Sequence, residues 1–322
     1  MNPTTLSSSV NSISAKPKKT LVSRILRNKY IYLLLLPALI LTFIFHYIPY
    51  LGLYMAFTDF DIFKGIFGSP FVGLKHFANI IRTPAFGSAI INTVLYSAII
   101  LFGGTPVPII LALMFNELRN RFFKRFTQTI SYLPYFISWI SVVALFQTFL
   151  SFDGPFNDIR RLLLGPEAEP FNPLMESGRF YYILIVFISH LWKNAGWGTV
   201  IYLAAISGID VQLYEAAVID GCKRWKQTLY ITLPMIMPTT TILLVLNMGS
   251  LVNVNFEQFY GFHNLYNLRD NEVINTIIYK RGINMGEYSL ATAFGLSQGI
   301  VSFILVLLSN RLSKKLGGST VW

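Results

Sequence analysis

Six apolar segments, each about the length of a membrane-spanning helix, constrain this chain more than any other feature. A helix needs about 20 predominantly apolar residues to cross a bilayer. Segments that meet this requirement are Tyr30–Phe57, Ser88–Phe115, Thr129–Phe149, Arg179–Ile206, Pro234–Asn255 and Tyr288–Ser309. Only 13% of the 322 residues are charged, compared with roughly 25% in a soluble domain. The sequence therefore predicts an all-α membrane protein with six transmembrane helices in a lipid bilayer.

The distribution of positive charge predicts the orientation of these helices. Lysine and arginine accumulate on the cytoplasmic side of membrane proteins. If the N-terminus is cytoplasmic, the inner segments hold 16 of the 26 basic residues and only four of the 15 acidic ones. We therefore predict that both termini are cytoplasmic. The net charge of +11 then reflects membrane orientation, so nucleic acid is not an expected partner.

The apolar segments divide the chain into three parts. Residues 1–29 form a basic N-terminal tail, residues 30–315 form one six-helix membrane domain, and residues 316–322 form a C-terminal tail. The first apolar run is too long for a signal peptide and ends without a small-residue cleavage site, so we expect it to be retained. A polar helix at about residues 210–226 lies on the inner side, between the fourth and fifth spans.

Several classes of chemistry find no support in the residues present. The single cysteine, Cys222, excludes an internal disulfide, and His46, His76, His190 and His263 do not have the spacing of metal ligands. The sequence has no Gly-x4-Gly-Lys-Ser/Thr loop to hold the phosphates of ATP. We therefore predict no catalytic residue, no metal site and no cofactor bound by this chain itself.

The polar inner helix carries small and acidic residues at helical spacing. Asp210 is a suitable N-cap, and Ala216 and Asp220 share a face because they are four residues apart. Small side chains let another backbone approach closely, and the carboxylate of Glu215 can form charge-assisted hydrogen bonds with a partner's Arg or Lys. Gly221 permits a bend because it lacks a β-carbon. The pattern indicates a docking surface, although a solvated amphipathic helix has a similar composition.

The spacing of these residues resembles a known signature. The pattern E-A-A-x3-G-x9-I-x-L-P is matched at every defined position, by Glu215, Ala216, Ala217, Gly221, Ile231, Leu233 and Pro234. It is typical of the permease subunits of bacterial ATP-binding-cassette (ABC) importers. Stretches such as FVGLKHF (71–77) and NVNFEQFY (253–260) resemble the oligosaccharide branch, in particular permeases for complex or acidic oligosaccharides such as alginate or pectin fragments. Cys222 is a departure, because the family more often has Ala at that position.

The resemblance implies a fold, a role and a set of partners. The expected fold is the type I ABC importer permease, located in the bacterial cytoplasmic membrane, and the chain would form half of the translocation path. The expected partners are a second permease, two cytoplasmic ATPase subunits that bind ATP and Mg²⁺, an extracytoplasmic solute-binding protein, and an oligosaccharide. The second permease is typically a distinct chain in this branch, although six spans also fit a homodimer. The ATPase-coupling residues carried over from the motif and its helix are Glu215, Ala216, Ala217, Asp220 and Gly221.

Polar and aromatic residues within two apolar segments predict the substrate path. Polar side chains within a span are costly and usually face a cavity or the protein interior. The candidates are His190, Trp192, Lys193, Asn194 and Trp197 in the fourth span, and Asn247, Ser250, Asn253 and Glu257 in or just after the fifth. Asn247, Ser250 and Glu257 lie close to one helical stripe. Each candidate also has a structural interpretation, as a hydrogen-bond partner between helices or as part of an interfacial aromatic belt.

Two other classes of protein share the apolar, helical character of an importer subunit. A secondary transporter or channel, in which the inner helix is only structural, would need a coupling-ion site, and no predicted span has Asp or Glu near its middle. Inverted repeats, which are common in that class, are also not visible. A membrane-embedded enzyme would need a nucleophile or a metal motif, and the sequence has neither. Both alternatives would function without an ATPase partner.

Overall fold

The chain folds as a succession of helices, in a computed structural model that describes residues 28–176 and 178–315. Within these residues, β-type pairing is limited to an isolated bridge between Thr58 and Phe71. The predicted tails, residues 1–29 and 316–322, lie outside the described part of the chain except for Asn28 and Lys29. The all-α class predicted from the sequence is confirmed.

The described residues form sixteen α-helices, several of which continue into 3₁₀ or π-helical turns. The α-helices are α1 Lys29–Thr42, α2 Gly65–Gly68, α3 Lys75–Arg82, α4 Pro84–Ala98, α5 Pro106–Glu117, α6 Arg121–Tyr132, α7 Trp139–Leu150, α8 Pro155–Leu164, α9 Phe180–Ser207, α10 Val211–Ile219, α11 Arg224–Gln227, α12 Leu233–Asn247, α13 Phe256–Phe262, α14 Leu268–Asn271, α15 Ile274–Tyr279 and α16 Tyr288–Lys315. The π-helical turns are Phe43–Tyr47, Ile99–Gly103, Thr228–Thr232 and Lys280–Asn284. The 3₁₀ segments are Ile48–Phe57, Leu133–Phe136, Pro173–Met175 and Met248–Val252.

The number of candidate spans depends on how two bent helix pairs are counted. Four continuous stretches are long and apolar enough to cross a membrane: Lys29–Phe57, Ala85–Glu117, Arg224–Val252 and Tyr288–Lys315. The total becomes six if each bent pair is one span, Arg121–Phe136 with Trp139–Leu164 and Phe180–Ser207 with Val211–Ile219. The six predicted segments therefore coincide with these stretches and pairs.

The third predicted span, Thr129–Phe149, is interrupted by a sharp bend. Arg121–Phe136 and Trp139–Leu164 meet at 102°. Ile137 is extended, and Ser138 begins α7 as its N-cap by accepting a hydrogen bond from the Ser141 N–H at 3.2 Å. A side-chain cap at this position gives the new helix a favourable start. The sequence pattern predicted one continuous apolar helix here, because hydropathy does not report the direction of the backbone.

The chain forms two compact units, one that ends at Gly52 and one that begins at Leu53. In the first unit, α1 and the π-helical turn after it expose apolar side chains in every direction; Leu34, for example, is 82% exposed. A helix that is apolar all round is suited to a lipid surrounding. The second unit contains three clusters of buried residues, which include Phe259, Phe294 and Ile236 respectively.

Buried asparagines hold the segment between the fifth and last spans against the rest of the second unit. Asn271 is fully buried; its Nδ2 donates to the carbonyl oxygens of Gly178 at 2.9 Å and Asn267 at 2.8 Å, and its Oδ1 accepts from the Tyr96 hydroxyl. Asn92 adds a second link, because its Nδ2 donates to two backbone carbonyl oxygens of this segment. These amides satisfy backbone groups that would be costly to bury unpaired.

The same segment contains His263, which makes the stability of the protein depend on pH. Its Nε2 lies 3.1 Å from the carbonyl oxygen of Asn271, and burial lowers its pKa to about 4. A folded-state pKa below the unfolded value near 6.5 means that stability is fully present above pH 6.5 and is lost as the pH falls towards 4. Thermal unfolding in detergent should therefore show a midpoint that falls over this range, by an amount equivalent to roughly 3 kcal/mol at most.

The matched variant is His263→Phe, which keeps an aromatic ring against Tyr182, whose ring centroid is 5.5 Å away. It should flatten the pH dependence between 6.5 and 4. As a control, Leu265→Phe introduces the same ring at a 94% exposed position of this segment and should leave the slope unchanged. An unchanged slope in the His263→Phe protein would assign the pH dependence to other groups.

Candidate functional site

The helix that carries the small and acidic residues, α10, begins at a side-chain cap. The Asp210 carboxylate accepts a hydrogen bond from the Gln212 N–H at 2.9 Å, which satisfies a donor that the first helical turn leaves unpaired. Helix α9 ends at Ser207 beside Gly208, and the chain turns by 70° into α10. The N-cap predicted at Asp210 is confirmed.

The other end of α10 closes on a glycine turn. The Cys222 N–H donates to the carbonyl oxygen of Ala217 at 2.8 Å, and the Gly221 N–H donates to that of Val218 at 3.0 Å. Gly221 has φ of +74°, a left-handed conformation that favours glycine at a helix C-terminus. An added β-carbon would meet no atom within 4 Å, so the requirement for glycine comes from the backbone alone. The bend predicted at Gly221 is confirmed.

Helix α10 is anchored on one side and exposed on the other. The Tyr214 hydroxyl lies 2.9 Å from Oγ1 of Thr232, which ties the helix to the start of the fifth span. Glu215, Ala216 and Asp220 are exposed. Within the part of the chain that the structure describes, neither Glu215 nor Asp220 has an ion-pair partner, whereas nearby Arg224 lies 3.4 Å from Glu117. The two carboxylates are therefore available to another molecule.

A cavity of about 290 Å³ lies between the second, fourth and fifth spans. Its lining residues are Ser97, Ile100, Leu101, Gly104, Thr105, Pro108, His190, Leu191, Asn194, Ala195, Asn247, Ser250, Asn253, Val254, Asn255 and Gln258. The lining combines apolar side chains with amides and hydroxyls and includes one histidine. We refer to it as the central cavity.

The backbone is irregular on two sides of the central cavity. The π-helical turn Ile99–Gly103 interrupts the second span there, and the fifth span changes to the 3₁₀ segment Met248–Val252 before an extended residue, Asn253. Non-helical backbone at membrane depth is tolerated where it is buried in protein or lines a water-filled cavity. The irregular backbone of both spans therefore lies where protein or the cavity, and not lipid, surrounds it.

Two buried polar atoms in the lining lack a partner. Gln258 is fully buried; its Nε2 donates to the Val186 carbonyl oxygen at 2.8 Å and to the Ser189 hydroxyl at 3.0 Å, but its Oε1 has no hydrogen bond within the described residues. Ser97 is 5% exposed, and its hydroxyl also has no hydrogen-bond partner within the described residues. An unpaired buried polar atom costs about 1–3 kcal/mol. Both atoms are buried in this conformation, so a ligand or water would pair with them only after the lining moves.

The structure brings five of the nine predicted path residues together. His190, Asn194, Asn247, Ser250 and Asn253 all line the central cavity. Sequence reasoning missed Ser97 and Thr105; Asn255 and Gln258 are polar residues at the end of the fifth span that were not among the nine candidates. The signal for Ser97 and Thr105, a polar residue within an apolar span, was present in the sequence; Gln258 lies beside the chosen Glu257 and could not be distinguished from it by spacing.

Lys193 does not line the central cavity. Only 6% of it is exposed, and its Nζ donates to the carbonyl oxygens of Tyr135 at 2.8 Å, Pro134 at 3.4 Å and Ile137. These carbonyls belong to the bend in the third span, where the helix stops. The Pro134 carbonyl oxygen also accepts from the Ile137 N–H at 3.2 Å, so Nζ is a second donor there. Nζ also lies 5.4 Å from the centroid of the Trp139 ring. The hydrogen-bond partners of Lys193 are therefore the backbone carbonyls at the bend in the third span.

The remaining three candidates also lie away from the central cavity. Trp192 packs edge-on to Phe146 with centroids 6.0 Å apart, and Trp197 stacks on Tyr135 at 4.7 Å. The expectation that Glu257 continues the stripe of Asn247 and Ser250 is wrong. The helix ends before Asn253, which is extended, and a new helix, α13, begins after Asn255.

The chain combines an all-α membrane domain, a polar cavity between spans with irregular backbone, and an exposed helix with a side-chain cap. These are the features of a transport permease. The sequence profile of the binding-protein-dependent transport system inner membrane components matches residues 104–256, and the chain belongs to this family. It is 40% identical over 305 residues to the polygalacturonan/rhamnogalacturonan transport system permease protein YteP of Bacillus subtilis, covering 95% of this chain and 94% of that protein. The protein LplB of the same organism is 37% identical over 90% of each chain.

Solved structures give the same assignment. A chain in the crystal structure of a bacterial alginate ABC transporter, in complex with an alginate pentasaccharide-bound periplasmic protein, is 35% identical and superposes with a TM-score of 0.82. The match covers 94% of this chain and 99% of that one. The fold is therefore that of an ABC importer permease, as the motif predicted. Membership of this family decides against a secondary transporter or channel.

Proposed function

We propose that this chain is the permease subunit of an ATP-driven oligosaccharide importer in the bacterial cytoplasmic membrane. It pairs with a second, homologous permease to enclose the path, and two cytoplasmic ATPase subunits bind the ATP and Mg²⁺ that drive transport. A solute-binding protein outside the membrane delivers the sugar. The names of the relatives support an oligosaccharide, and the alginate transporter structures support an acidic one.

The observation that carries this proposal is the exposed, capped helix α10 with its two uncommitted carboxylates. Glu215 and its small neighbours Ala216 and Ala217 would sit against an ATPase subunit, with Glu215 paired to a basic side chain. Closure of the ATPase pair would then move α10, and the anchor at Tyr214 would pass that movement to the fifth span. Nucleotide shifts such an equilibrium only through its different affinity for the two states.

The central cavity is proposed as this chain's contribution to the substrate path. Its amides and hydroxyls match the hydroxyl groups of a sugar, and Gln258 and Ser97 offer unpaired atoms for them. The lining contains no lysine or arginine, and its one histidine is His190.

Cysteine crosslinking in whole cells tests the coupling role. The chain has a single cysteine, so Cys222→Ser provides a clean background for Ala216→Cys. A bifunctional thiol reagent should join Ala216→Cys to the ATPase subunit, and a membrane-impermeant label added outside the cells should not reach it. As a control, Leu265→Cys, which is 94% exposed and belongs to the segment predicted to be external, should be labelled and should not crosslink. Labelling of Ala216→Cys from outside would reverse the proposed orientation.

Ser97→Ala tests the central cavity with little risk to the fold. The hydroxyl has no partner in the described residues, so its removal should leave the unfolding midpoint unchanged or slightly raised. If sugar uses this hydroxyl, the KM for uptake should rise by about 5- to 10-fold, equivalent to one hydrogen bond. Ser207→Ala, at the end of the same fourth span as His190 but outside the cavity, should leave KM unchanged. An unchanged KM in both variants would remove Ser97 from the path.

A further inference from the structure

A second cavity, of about 560 Å³, lies beside the central cavity between the segment after the fifth span and the start of the last span. Asn253 lines both cavities, so the two meet at this residue. Ligand sites for small molecules usually measure about 300–1,000 Å³ and combine aromatic walls with a few placed polar groups. We call this second space the outer cavity, because it lies towards the segment predicted to be external.

Three amides form a row along one wall of the outer cavity. Asn275 Nδ2 donates to Asn253 Oδ1 at 2.8 Å and to the Val254 carbonyl oxygen at 2.9 Å, and its Oδ1 accepts from Gln298 Nε2 at 3.0 Å. Gln298 Nε2 also donates to the Val252 carbonyl oxygen. Asn275 therefore uses both of its N–H donors and holds its neighbours in place. Within the described residues, Asn253 Nδ2 and Gln298 Oε1 have no partner, which leaves one donor group and one acceptor for a ligand.

Aromatic rings form the apolar part of the outer cavity. Phe256 and Tyr279 both line the outer cavity, and their ring centroids are 4.9 Å apart. Tyr260 packs behind them, 5.1 Å from Phe256 and 5.2 Å from Tyr279, which fixes the position of the pair. A pyranose ring has an apolar face of C–H groups and an edge of hydroxyls. The Tyr279 ring, with Phe256 tilted at 45° beside it, and the donor and acceptor amides match both.

The outer cavity contains no ionisable acid or base apart from tyrosine hydroxyls. The hydroxyl-rich face of a sugar ring needs no counter-charge in this lining, and the carboxylate of a uronic ring would have to point out of the cavity.

We propose that the outer cavity is a carbohydrate subsite, in which one ring stacks on Tyr279 beside Phe256 while its hydroxyls bond to Asn253 and Gln298. The inference rests on the proposed function, since it places one ring of the transported oligosaccharide here and the next in the central cavity. Asn253, common to both linings, contacts the chain where it passes from one to the other.

Uptake by the whole complex, reconstituted in proteoliposomes with both permeases, the ATPases and the binding protein, tests the stacking. The probes are radiolabelled trigalacturonate, an alginate trisaccharide and cellotriose. Tyr279→Leu keeps bulk but removes the ring, and it should raise KM by about tenfold or more, while Tyr279→Phe should stay within about twofold of wild type. Tyr266→Leu, at a 61% exposed tyrosine outside both cavities, should be indistinguishable from wild type.

Protection of a cysteine gives a second readout that does not depend on turnover. In the Cys222→Ser background, Thr292→Cys places a thiol in the outer cavity, and Leu265→Cys places one on an exposed loop. A saturating concentration of the transported probe should slow modification of Thr292→Cys by about fivefold and leave Leu265→Cys unaffected.

The outcomes separate this inference from the proposed function. If the wild-type complex carries none of the three probes, the proposed function fails and the subsite fails with it. If the wild type carries a probe, but Tyr279→Leu leaves KM unchanged or the probe does not slow labelling at Thr292→Cys, the subsite alone is overturned.

Discussion

Glu215→Lys should abolish ATP-dependent uptake while the protein is still inserted in the membrane. The carboxylate is exposed on α10 and has no ion-pair partner in the described part of the chain, so its removal costs the isolated fold little. In the proposed complex it faces a basic group of an ATPase subunit, and disrupting a desolvated interfacial ion pair costs about 2–5 kcal/mol. Uptake should therefore fall by at least about 30-fold, since every 1.4 kcal/mol corresponds to a factor of ten.

Conservative variants at the same position separate charge from shape. Glu215→Asp keeps the carboxylate and should retain a substantial part of the uptake, whereas Glu215→Gln keeps the shape and should lose most of it. The measurements are uptake in proteoliposomes, the amount of ATPase subunit that co-purifies, and the unfolding midpoint of the permease. Uptake at the wild-type rate by Glu215→Lys would show that α10 does not couple the chain to an ATPase.

Lys193→Met should destabilise the permease more than either Ser97→Ala or Glu215→Lys. Nζ donates to three backbone carbonyl oxygens at the 102° bend of the third span, and the side chain is 6% exposed. Methionine fills a similar volume but donates no hydrogen bond. A buried acceptor left unpaired costs about 1–3 kcal/mol, so we expect a total loss of roughly 2–4 kcal/mol after the bend relaxes.

Thermal unfolding in detergent measures this loss as a decrease of roughly 5–15 °C in the midpoint. Lys193→Arg preserves charged donors and should recover part of the stability. Lys226→Met replaces an exposed lysine by the same residue and should shift the midpoint little. If Lys193→Met unfolds at the same temperature as the wild type, the carbonyls at the bend find other partners. The lysine side chain would then be free to serve another role.

These two predictions differ in how far the sequence alone could reach. Glu215 was identified from its neighbours in the chain, because the cap at Asp210, the glycine at position 221 and the motif between them are local features. Lys193 was also singled out from the sequence, as a charged residue in an apolar span. Its partners lie 56 to 59 residues earlier, at a bend that hydropathy did not reveal.

The cavities show the same difference between what the sequence alone predicts and what the tertiary structure decides. A polar residue in an apolar span predicts that the side chain avoids lipid, and this reasoning found five residues of the central cavity. It could not find the row of Asn253, Asn275 and Gln298, because these residues come from three different segments. It also placed Glu257 on a stripe that ends where Asn253 becomes extended.

The amino-acid sequence by itself determined the helical class, the six apolar segments, the capped helix α10 and the permease family, because each depends on composition or on residues within a few turns of one another. The tertiary structure decided which polar side chains meet in a cavity and which ones hold a bend. Those outcomes depend on where helices break and which faces then come together, and a break of one or two residues redirects every side chain that follows it.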